Sequence, residues 1–390
     1  MHSFRSQFMG LFFFLVLTAL ALSNGFVARI GAEENTADIV TTIEPIAVVL
    51  DEIIKNYVES PDADKVVEGA LIGMMNSLDD HSSYVPPMVY QDITEETEGE
   101  FDGIGVQIKL DEQKNIVIFH PLPGSPAVKA GLLGGDIIVK IDDISTQGMG
   151  LDEAKDHIRG ARGTVVHLTV FREYTDPDKR PEMLEFDVTR GKIPLESVME
   201  SRVLDGGVGY VRVSDFKKTT ADEIAQKVKE LGGAGMQSLI LDLRWNPGGL
   251  LTAAKDVSEL FLPKGTKVTY TKGRIQGDGT VTEEMTLYTE RDPVIADSMP
   301  MVLLVNEQTA SSSEIVTGAL QFYKRALVVG MKTYGKGSVQ TIIPLRRPKD
   351  SALRLTTALY YTPADVTINK HGILPDVEVP LPMEKWRDLF

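Results

Sequence analysis

The sequence predicts a multidomain protein of mixed α/β class, and three observations support that class. The chain has 390 residues, 43% of them hydrophobic and 25% charged, which is typical of two or three globular domains. Strand and helix patterns alternate from about residue 200 onward, which indicates an α/β layer with some parallel pairing. Ahead of that layer lie a helical segment and a compact module of short strands.

The first 23 residues have the features of an export signal. Arg5 precedes a 15-residue apolar run from Phe8 to Leu22, a length that fits a signal-peptide core better than a membrane span. Small residues stand before a cleavage position after Ser23. An uncleaved anchor is the alternative, because apolar residues up to Ile30 would extend the run to about 20 residues. We therefore predict export to the periplasm or to the outer face of the cytoplasmic membrane, with attachment through the N-terminus as the second outcome.

Residues 38–95 are predicted to form an N-terminal helical segment. Apolar residues recur at helical spacing over 38–80, in two sets separated by Pro61. A turn-rich stretch follows, and the acidic run Glu95–Glu100 marks the expected domain boundary.

Residues 96–190 are predicted to form a β-rich domain. The glycine turn Gly103-Ile104-Gly105-Val106 leads into an alternating strand pattern. The other expected elements are strands near 115–120, 136–141 and 164–171, and short helices near 125–132 and 151–158. The first of these helices has Pro in its first turn and Gly at its end, as helix termini favour.

Residues 191–390 are predicted to form the α/β core. The expected helices are 220–231, 250–260 and 313–324. The expected strands are 238–243, 301–306, 326–329, 338–345 and 353–361, and residues 263–298 are predicted to be hairpin and loop.

Composition excludes several function classes. The chain has 40 basic and 56 acidic residues and a net charge of −16, which argues against a general nucleic-acid partner. It has no cysteine, so disulfides, thiolate nucleophiles and Cys-based zinc sites are excluded. The six histidines include no His-x-x-x-His pair. We expect neither a metal nor another cofactor.

The segment Asn306–Glu314 stands where a nucleophile is favoured, between an apolar strand and an amphipathic helix. A helix N-terminus offers free N–H groups and a partial positive charge, and both stabilise a developing oxyanion. Ser311 and Glu314 also have the spacing of a capping box, in which the serine only begins the helix. The spacing alone favours the cap.

The segment 330–338 resembles a phosphate-binding P-loop, but Gly337 stands where the Mg²⁺-binding hydroxyl belongs and a strand pattern follows instead of a helix. What remains is Lys336, held among glycines at the start of an apolar strand. Burial lowers the pKa of a lysine, and a neutral amine can take a proton from a serine hydroxyl. Gln340, four residues later, can donate or accept a hydrogen bond and so is a candidate to orient that amine.

A third segment, Asp242–Leu250, ends a strand in a Gly248-Gly249 turn and begins a helix. Backbone N–H groups in such a turn form an anion-binding concavity, although an ordinary strand-to-helix turn has the same pattern. A Ser-His-Asp triad is the rival catalytic arrangement. It is disfavoured because there is no Gly-x-Ser-x-Gly elbow and His371 is the one histidine after residue 200.

Together these residues resemble one family, the C-terminal-processing peptidases, also called tail-specific proteases. The resemblance covers about residues 38–380, and residues 99–190 look like the PDZ domain of that family. The matching segments are Leu78–Tyr84, Asp242–Leu251, Asn306–Glu314, Thr333–Gln340 and Leu355–Pro363.

The resemblance implies a crotonase-like peptidase core with an inserted PDZ domain. It implies Ser311 as nucleophile and Lys336 as general base, with Gln340 positioning the lysine. Lys336 and Gln340 lie 25 and 29 positions after Ser311, which matches the family pattern. The implied oxyanion hole uses the N–H of Ser312 and that of a glycine in Gly248-Gly249.

The loop Gly103-Ile104-Gly105-Val106 is implied to bind substrate tails. Some positions depart from the family pattern, among them Asp80 in place of Pro, and Thr309 and Ser312 in place of the commoner Ser and Ala. None removes a catalytic group. The assignment to Ser311 depends on register, so Ser312 and Ser313 stay as alternatives.

The sequence thus predicts an exported serine endopeptidase that selects protein substrates with apolar C-termini through a PDZ domain and cleaves them by a Ser-Lys dyad. A non-catalytic PDZ scaffold that binds C-terminal tails is the alternative from another class. A protease held closed by its PDZ domain until a tail binds is a third.

Overall fold

The computed structural model describes residues 35–174, 176, 178–275, 281–282 and 284–380. The predicted export signal lies outside these residues. The chain divides into two compact units, the first ending at Ser77 and the second beginning at Leu78. The first unit contains α1 (Asn35–Asn56) and α2 (Ala63–Asn76). Within the described ranges, no helix is long and apolar enough to cross a membrane.

The second unit begins with β1 (Ser83–Val85) and α3 (Pro87–Glu98), and a PDZ-like module follows. Its elements are β2 (Glu100–Gly103), β3 (Val106–Leu110), β4 (Ile116–Pro121), α4 (Pro126–Ala130), β5 (Ile137–Ile141), β6 (Ile144–Ser145), α5 (Leu151–Ile158), β7 (Val165–Arg172), β8 (Glu182–Thr189) and β9 (Gly191–Pro194). The antiparallel sheet has the order β3-β4-β5-β7-β8, with β6 on β5. Strands β2 and β9 pair with each other, so the two ends of the module lie side by side.

The remaining residues form the α/β core. Its elements are β10 (Val198–Leu204), β11 (Val208–Val213), α6 (Thr220–Gly233), β12 (Ser238–Asp242), α7 (Leu251–Glu259), β13 (Lys267–Lys272), β14 (Met285–Tyr288), β15 (Met301–Val305), α8 (Ser312–Phe322), β16 (Leu327–Gly330), β17 (Ser338–Pro344), β18 (Ala352–Tyr361) and β19 (Val377–Glu378).

Two sheets build this core. The first has the order β10-β11-β12-β15-β16-β19 and is parallel from β11 to β19, with β10 antiparallel at its edge. The second is antiparallel, with the order β1-β18-β13-β14 and β17 also on β18. Helices α7 and α8 pack against each other and against β13, and α8 also contacts β16. The helices therefore connect the two sheets through one apolar core.

The predicted α/β class and the predicted helices and strands of the core are confirmed, with boundaries shifted by at most a few residues. The hairpin of β10 and β11 was not predicted. Its signal is Asp205-Gly206-Gly207 between two alternating segments, and both glycines have positive φ. The omission matters because β11 is an inner strand of the sheet and is followed by Ser214–Lys217, which line a large cavity.

Candidate active site

Three segments singled out in the sequence follow three neighbouring parallel strands. Gly248 and Gly249 follow β12, Ser311 follows β15, and Lys336 follows β16. These strands pair side by side, β12 with β15 and β15 with β16. The carboxyl ends of parallel strands lie at one edge of a sheet, so the fold brings the glycine turn, the serine and the lysine together there.

Ser311 begins α8 in an unusual backbone conformation. Its φ of 54° and ψ of −118° lie outside the regions that non-glycine residues ordinarily occupy. Such conformations cost about 1–3 kcal/mol and cluster at functional sites. A residue that only caps a helix has extended backbone instead. Ser311 shares a capping box with Glu314, so it begins the helix while also holding this conformation.

The three adjacent serines have different environments. Ser312 and Ser313 are buried, and their hydroxyls donate to carbonyl oxygens of the glycine turn, 2.9 Å to Gly249 and 3.1 Å to Asn246. Ser311 is half-buried and lines the cavity with Lys336. Of the three, Ser311 alone makes no hydroxyl bond to that turn.

The glycine turn approaches Ser311 so closely that no side chain fits. A Cβ on Gly248 would lie 2.7 Å from the Cβ of Ser311 and 2.8 Å from the Ser312 nitrogen, and the φ of Gly248 is 96°. The N–H of Gly248 donates to Asn246 Oδ1 at 2.9 Å. Within the described part of the chain, the N–H groups of Gly249 and Ser312 donate to no protein acceptor. These two N–H groups, rather than that of Gly248, are available to an oxyanion.

Asn246 is a buried residue that the sequence analysis did not single out. Besides accepting from Gly248, it donates through Nδ2 to the Val213 carbonyl at 3.0 Å, and its own carbonyl accepts from the Ala310 nitrogen. It therefore joins the ends of β11, β12 and β15. The signal was an Asn directly before Pro-Gly-Gly at a strand end.

Lys336 is half-buried, and its Nζ has no hydrogen-bond partner among the described residues. Burial is the main cause that lowers the pKa of Lys336 below its usual value. The positive charge of Arg354 lowers it further, and the negative charge of Glu314 opposes the shift. A larger fraction of the amine is therefore neutral than for a solvated lysine at the same pH.

Glu314 connects the backbones of the serine and the lysine. Its Oε2 accepts from the nitrogens of Ser311 and Lys336, each at 2.9 Å, and its Oε1 accepts from Thr333 Oγ1 and the Gly335 nitrogen. The side chain is fully buried, and this burial raises the pKa of Glu314 although the four hydrogen bonds oppose the rise. The sequence analysis had interpreted Glu314 only as part of a cap.

Tyr360 is a second residue that the sequence analysis did not assign to the site. It is buried, and its hydroxyl donates to the Lys336 carbonyl. Burial, followed by the charge of Glu314, raises the pKa of Tyr360 far above its usual value, and a side-chain hydrogen bond with Ser311 opposes that rise. Tyr360 thus contacts both segments from the second sheet.

Gln340 lies in β17 and lines the same cavity as Lys336. Its amide nitrogen donates to Ser338 Oγ at 2.9 Å and to Thr356 Oγ1 at 3.2 Å. Both N–H groups of the amide are therefore used, and Oε1 is its free acceptor.

The cavity has a volume of about 1050 Å³ and lies between the PDZ-like module and the core. Module residues such as Phe101 and Arg159 form one wall. Apolar core residues line the cavity beside Ser311: Phe216, Leu250, Leu251, Ile315, Val339 and Ile342. A peptide side chain can be accommodated in this cavity, which Ser311 also lines.

The predicted tail-binding loop lines a second cavity of about 390 Å³ in the PDZ-like module. Its four members, Gly103, Ile104, Gly105 and Val106, are brought together there with residues of β3, β4 and α5. Lys155 and Arg159 also line this cavity, and each is ion-paired with a carboxylate, Lys155 with Asp152 and Arg159 with Asp92. No group of three or more acidic or histidine side chains in the described ranges is arranged to hold a metal ion.

Comparison with known proteins finds one family match for the α/β core and another for the PDZ-like module. The model of peptidase family S41 matches residues 207–379, and the PDZ domain model matches residues 92–171. The chain is 40% identical over 345 residues to the carboxy-terminal-processing protease of Bartonella bacilliformis, covering 87% of this chain and 75% of that protein. It is 33% identical over 380 residues to the carboxy-terminal processing protease CtpA of Bacillus subtilis, covering 95% and 77%.

Among solved structures, a photosystem II D1 C-terminal processing protease aligns with a TM-score of 0.46 and 29% identity, covering 85% of this chain and 86% of that one. The fold and the family matches define a serine-type peptidase that carries a PDZ domain. The chain belongs to peptidase family S41, the family of the C-terminal-processing proteases, and acts on protein substrates.

Proposed function

We propose that Ser311 is the nucleophile of this peptidase and Lys336 its general base. The observation that carries the proposal is the difference among the three serines. Ser312 and Ser313 donate to backbone carbonyls, whereas Ser311 lines the cavity with an unpaired, partly desolvated lysine. Gln340 positions the lysine amine.

In the proposed reaction the Ser311 hydroxyl attacks the scissile carbonyl while the neutral amine of Lys336 takes its proton. The N–H groups of Gly249 and Ser312 stabilise the oxyanion. Lys336 then returns the proton to the leaving amine, which leaves an acyl-enzyme ester on Ser311. Water hydrolyses the ester, with Lys336 acting again as base.

The PDZ domain is proposed to select substrates that end in an apolar residue. The groove at Gly103-Ile104-Gly105-Val106 is bordered by apolar side chains such as Ile108, Phe119 and Ile158, which suit an apolar terminal side chain. The backbone N–H groups of this loop suit the terminal carboxylate. Processing of C-terminal tails, as named for the relatives, is the corresponding activity.

We also propose that the protein is exported. The short apolar run behind Arg5 supports a signal peptide or an anchor at the N-terminus. Fractionation of cells that produce the full chain tests this: the protein is expected outside the cytoplasm, and a variant without residues 1–23 is expected inside. Equal cytoplasmic retention of both would refute export.

A cleavage assay tests the dyad. The full chain, purified in mild detergent, is given one reporter protein ending either in an apolar tail or in Asp-Asp. Cleavage of the apolar-tailed form is expected, and Ser311→Ala or Lys336→Ala should abolish it. The matched controls are Ser312→Ala, which keeps its N–H, and Lys332→Ala, an exposed lysine of the same loop; both should retain activity.

Each result distinguishes between the candidates. Full activity in Ser311→Ala or Lys336→Ala contradicts the dyad. Binding of the apolar tail by the unmodified chain without any cleavage favours the scaffold instead. Equal cleavage of both reporters contradicts tail selection but leaves the dyad in place.

A further inference from the structure

A series of hydrogen bonds leads from the beginning of the second unit to Gln340. Asp79 precedes β1, and its Oδ1 accepts from Thr356 Oγ1 at 3.2 Å. Thr356, in β18, accepts in turn from Gln340 Nε2 at 3.2 Å. The second N–H of that amide donates to Ser338 Oγ at 2.9 Å. Gln340 and Thr356 face each other on the paired strands β17 and β18, whereas Asp79 lies 277 residues before Thr356 in the chain. Each of the two links joins two side chains.

The Asp79 carboxylate sets the direction of this series. Although burial favours the neutral carboxyl, hydrogen bonds from His81 and Ser82, together with that from Thr356, outweigh it and lower the pKa of Asp79. An ionised carboxylate only accepts hydrogen bonds, so the single hydroxyl hydrogen of Thr356 is committed to Asp79. The Thr356 oxygen can then only accept, which requires Gln340 to present its NH₂ group.

The orientation of the Gln340 amide follows from that requirement. With the NH₂ group fixed by Thr356 and Ser338, Oε1 is the atom left for a donor in the cavity. A lysine amine that acts as a base needs an acceptor for one of its N–H groups, so that its lone pair points at the serine hydroxyl. A reversed amide would present donors to the amine and remove that acceptor.

We propose that Asp79 and Thr356 are positioning residues that fix the Gln340 amide so that its carbonyl oxygen serves Lys336. The inference rests on the role of Gln340 in the proposed function. Among the described residues, none forms a hydrogen bond with Lys336 Nζ. Catalytic hydrogen bonds often tighten only when substrate is bound, so the contact is assigned to the substrate complex.

The neighbouring residue Thr357 provides a matched control. It is the next residue of the same strand, and its hydroxyl pairs with Thr341 Oγ1 at 2.7 Å. Thr357→Val therefore removes a threonine hydroxyl and an interstrand hydrogen bond without affecting Gln340. Any loss of kcat that comes only from weaker pairing of β17 with β18 should be equal in Thr356→Val and Thr357→Val.

The test measures kcat and KM across pH for the full chain with a tailed reporter. Thr356→Val is expected to lower kcat about tenfold with KM within about twofold, because one directing hydrogen bond is lost. It should also move the acid limb of the kcat profile. Thr356→Ser, which keeps the hydroxyl, should restore most of kcat, and Thr357→Val should keep kcat within about twofold.

A double-mutant cycle with Gln340→Ala decides whether Thr356 acts through the amide. In the Gln340→Ala background, Thr356→Val should cause no further loss of kcat. Asp79→Ala, which removes the acceptor of the Thr356 hydroxyl, is the second variant should Thr356→Val unfold, and it should follow the same cycle. Melting temperatures identify any variant that is lost to unfolding.

The outcomes separate this inference from the function on which it rests. Suppose that Gln340→Ala lowers kcat and that adding Thr356→Val lowers it further by the same factor as Thr356→Val alone. Asp79 and Thr356 are then structural residues, and this inference fails while the proposed role of Gln340 stands. Equal losses in Thr356→Val and Thr357→Val overturn it as well. If Gln340→Ala itself has unchanged kcat, the proposed role of Gln340 fails and takes the inference with it.

Discussion

Two glycine turns lie in the two regions to which catalysis and tail binding are proposed to belong, and they are built differently. Gly248 in the catalytic edge and Gly105 in the PDZ loop both have positive φ, 96° and 74°. In both, an added Cβ would collide, at 2.7 Å with Ser311 and at 2.5 Å with Ser125. The N–H of Gly248 is held by a hydrogen bond to the Asn246 side chain. Gly105 instead lies close to the apolar side chain of Ile193 and lines a largely apolar groove.

The difference corresponds to what each region has to do. Charge develops at one place in a transition state, so the oxyanion donors and the base have to be held in advance. For the proposed dyad and oxyanion donors, Glu314 and Asn246 would provide this, because each bonds segments that follow different strands. Capture of a chain end uses backbone N–H groups and an apolar pocket, which tolerate small displacements. Four substitutions test this contrast.

Gly248→Ala should have the largest effect. Its Cβ would displace Ser311 and the Ser312 N–H, so kcat should fall by about 10²–10³-fold, as for loss of an oxyanion-hole donor. Gly265→Ala is the matched control, because Gly265 has a φ of 82° but open space around its Cβ. Steady-state kinetics of the two variants separate the collision from the backbone strain that both share. Equal kcat in both would contradict the close-approach argument.

Glu314→Gln comes next. The four donors around Glu314 require two acceptor oxygens, and the amide offers one, so either the Ser311 and Lys336 nitrogens or Thr333 and Gly335 lose an acceptor. Displacement of the dyad by about 1 Å should lower kcat about a hundredfold. The melting temperature should fall too. Glu307→Gln, at an exposed site of the same loop, should change neither quantity.

Gly105→Ala should affect capture rather than chemistry. We expect KM for a tailed reporter to rise about tenfold, which corresponds to about 1.4 kcal/mol of lost binding. The kcat for a short peptide without a tail should stay unchanged. Gly124→Ala is the control, with a φ of 73° and no neighbour within 4 Å of its Cβ. A fall in short-peptide kcat in Gly105→Ala alone would show that the two regions are not separable.

Arg354→Gln should have the smallest effect, confined to low pH. The Arg354 charge disfavours protonation of Lys336, so its removal raises the pKa of Lys336. The acid limb of the kcat profile should then move to higher pH, while kcat on the alkaline plateau stays the same. Arg347→Gln, at an exposed position, should leave the limb in place. A limb that moves to lower pH would contradict the electrostatic argument.

The sequence predicted the helices and strands of the core well, but it predicted only some residues of the candidate site. The spacing of apolar residues and the positions of glycines predicted the strands that end before Gly248, Ser311 and Lys336. Both signals depend only on residues close together in the sequence. The hairpin of β10 and β11 was missed although Gly206 and Gly207 marked its turn. Tyr360 and Arg354 were not assigned because their roles depend on β18 lining the cavity, and that placement comes from long-range strand pairing rather than from a local sequence pattern.

What the sequence by itself determined is the chemistry available: a serine at a helix start, a lysine among glycines before an apolar strand, and a Gly-Gly turn. These depend on residue type and on neighbours a few positions away. Tertiary structure decided which serine faces the lysine, which N–H groups are free, and that Asp79 reaches Gln340. The parallel order β12-β15-β16 places the three segments at one edge, and that order is a property of long-range strand pairing.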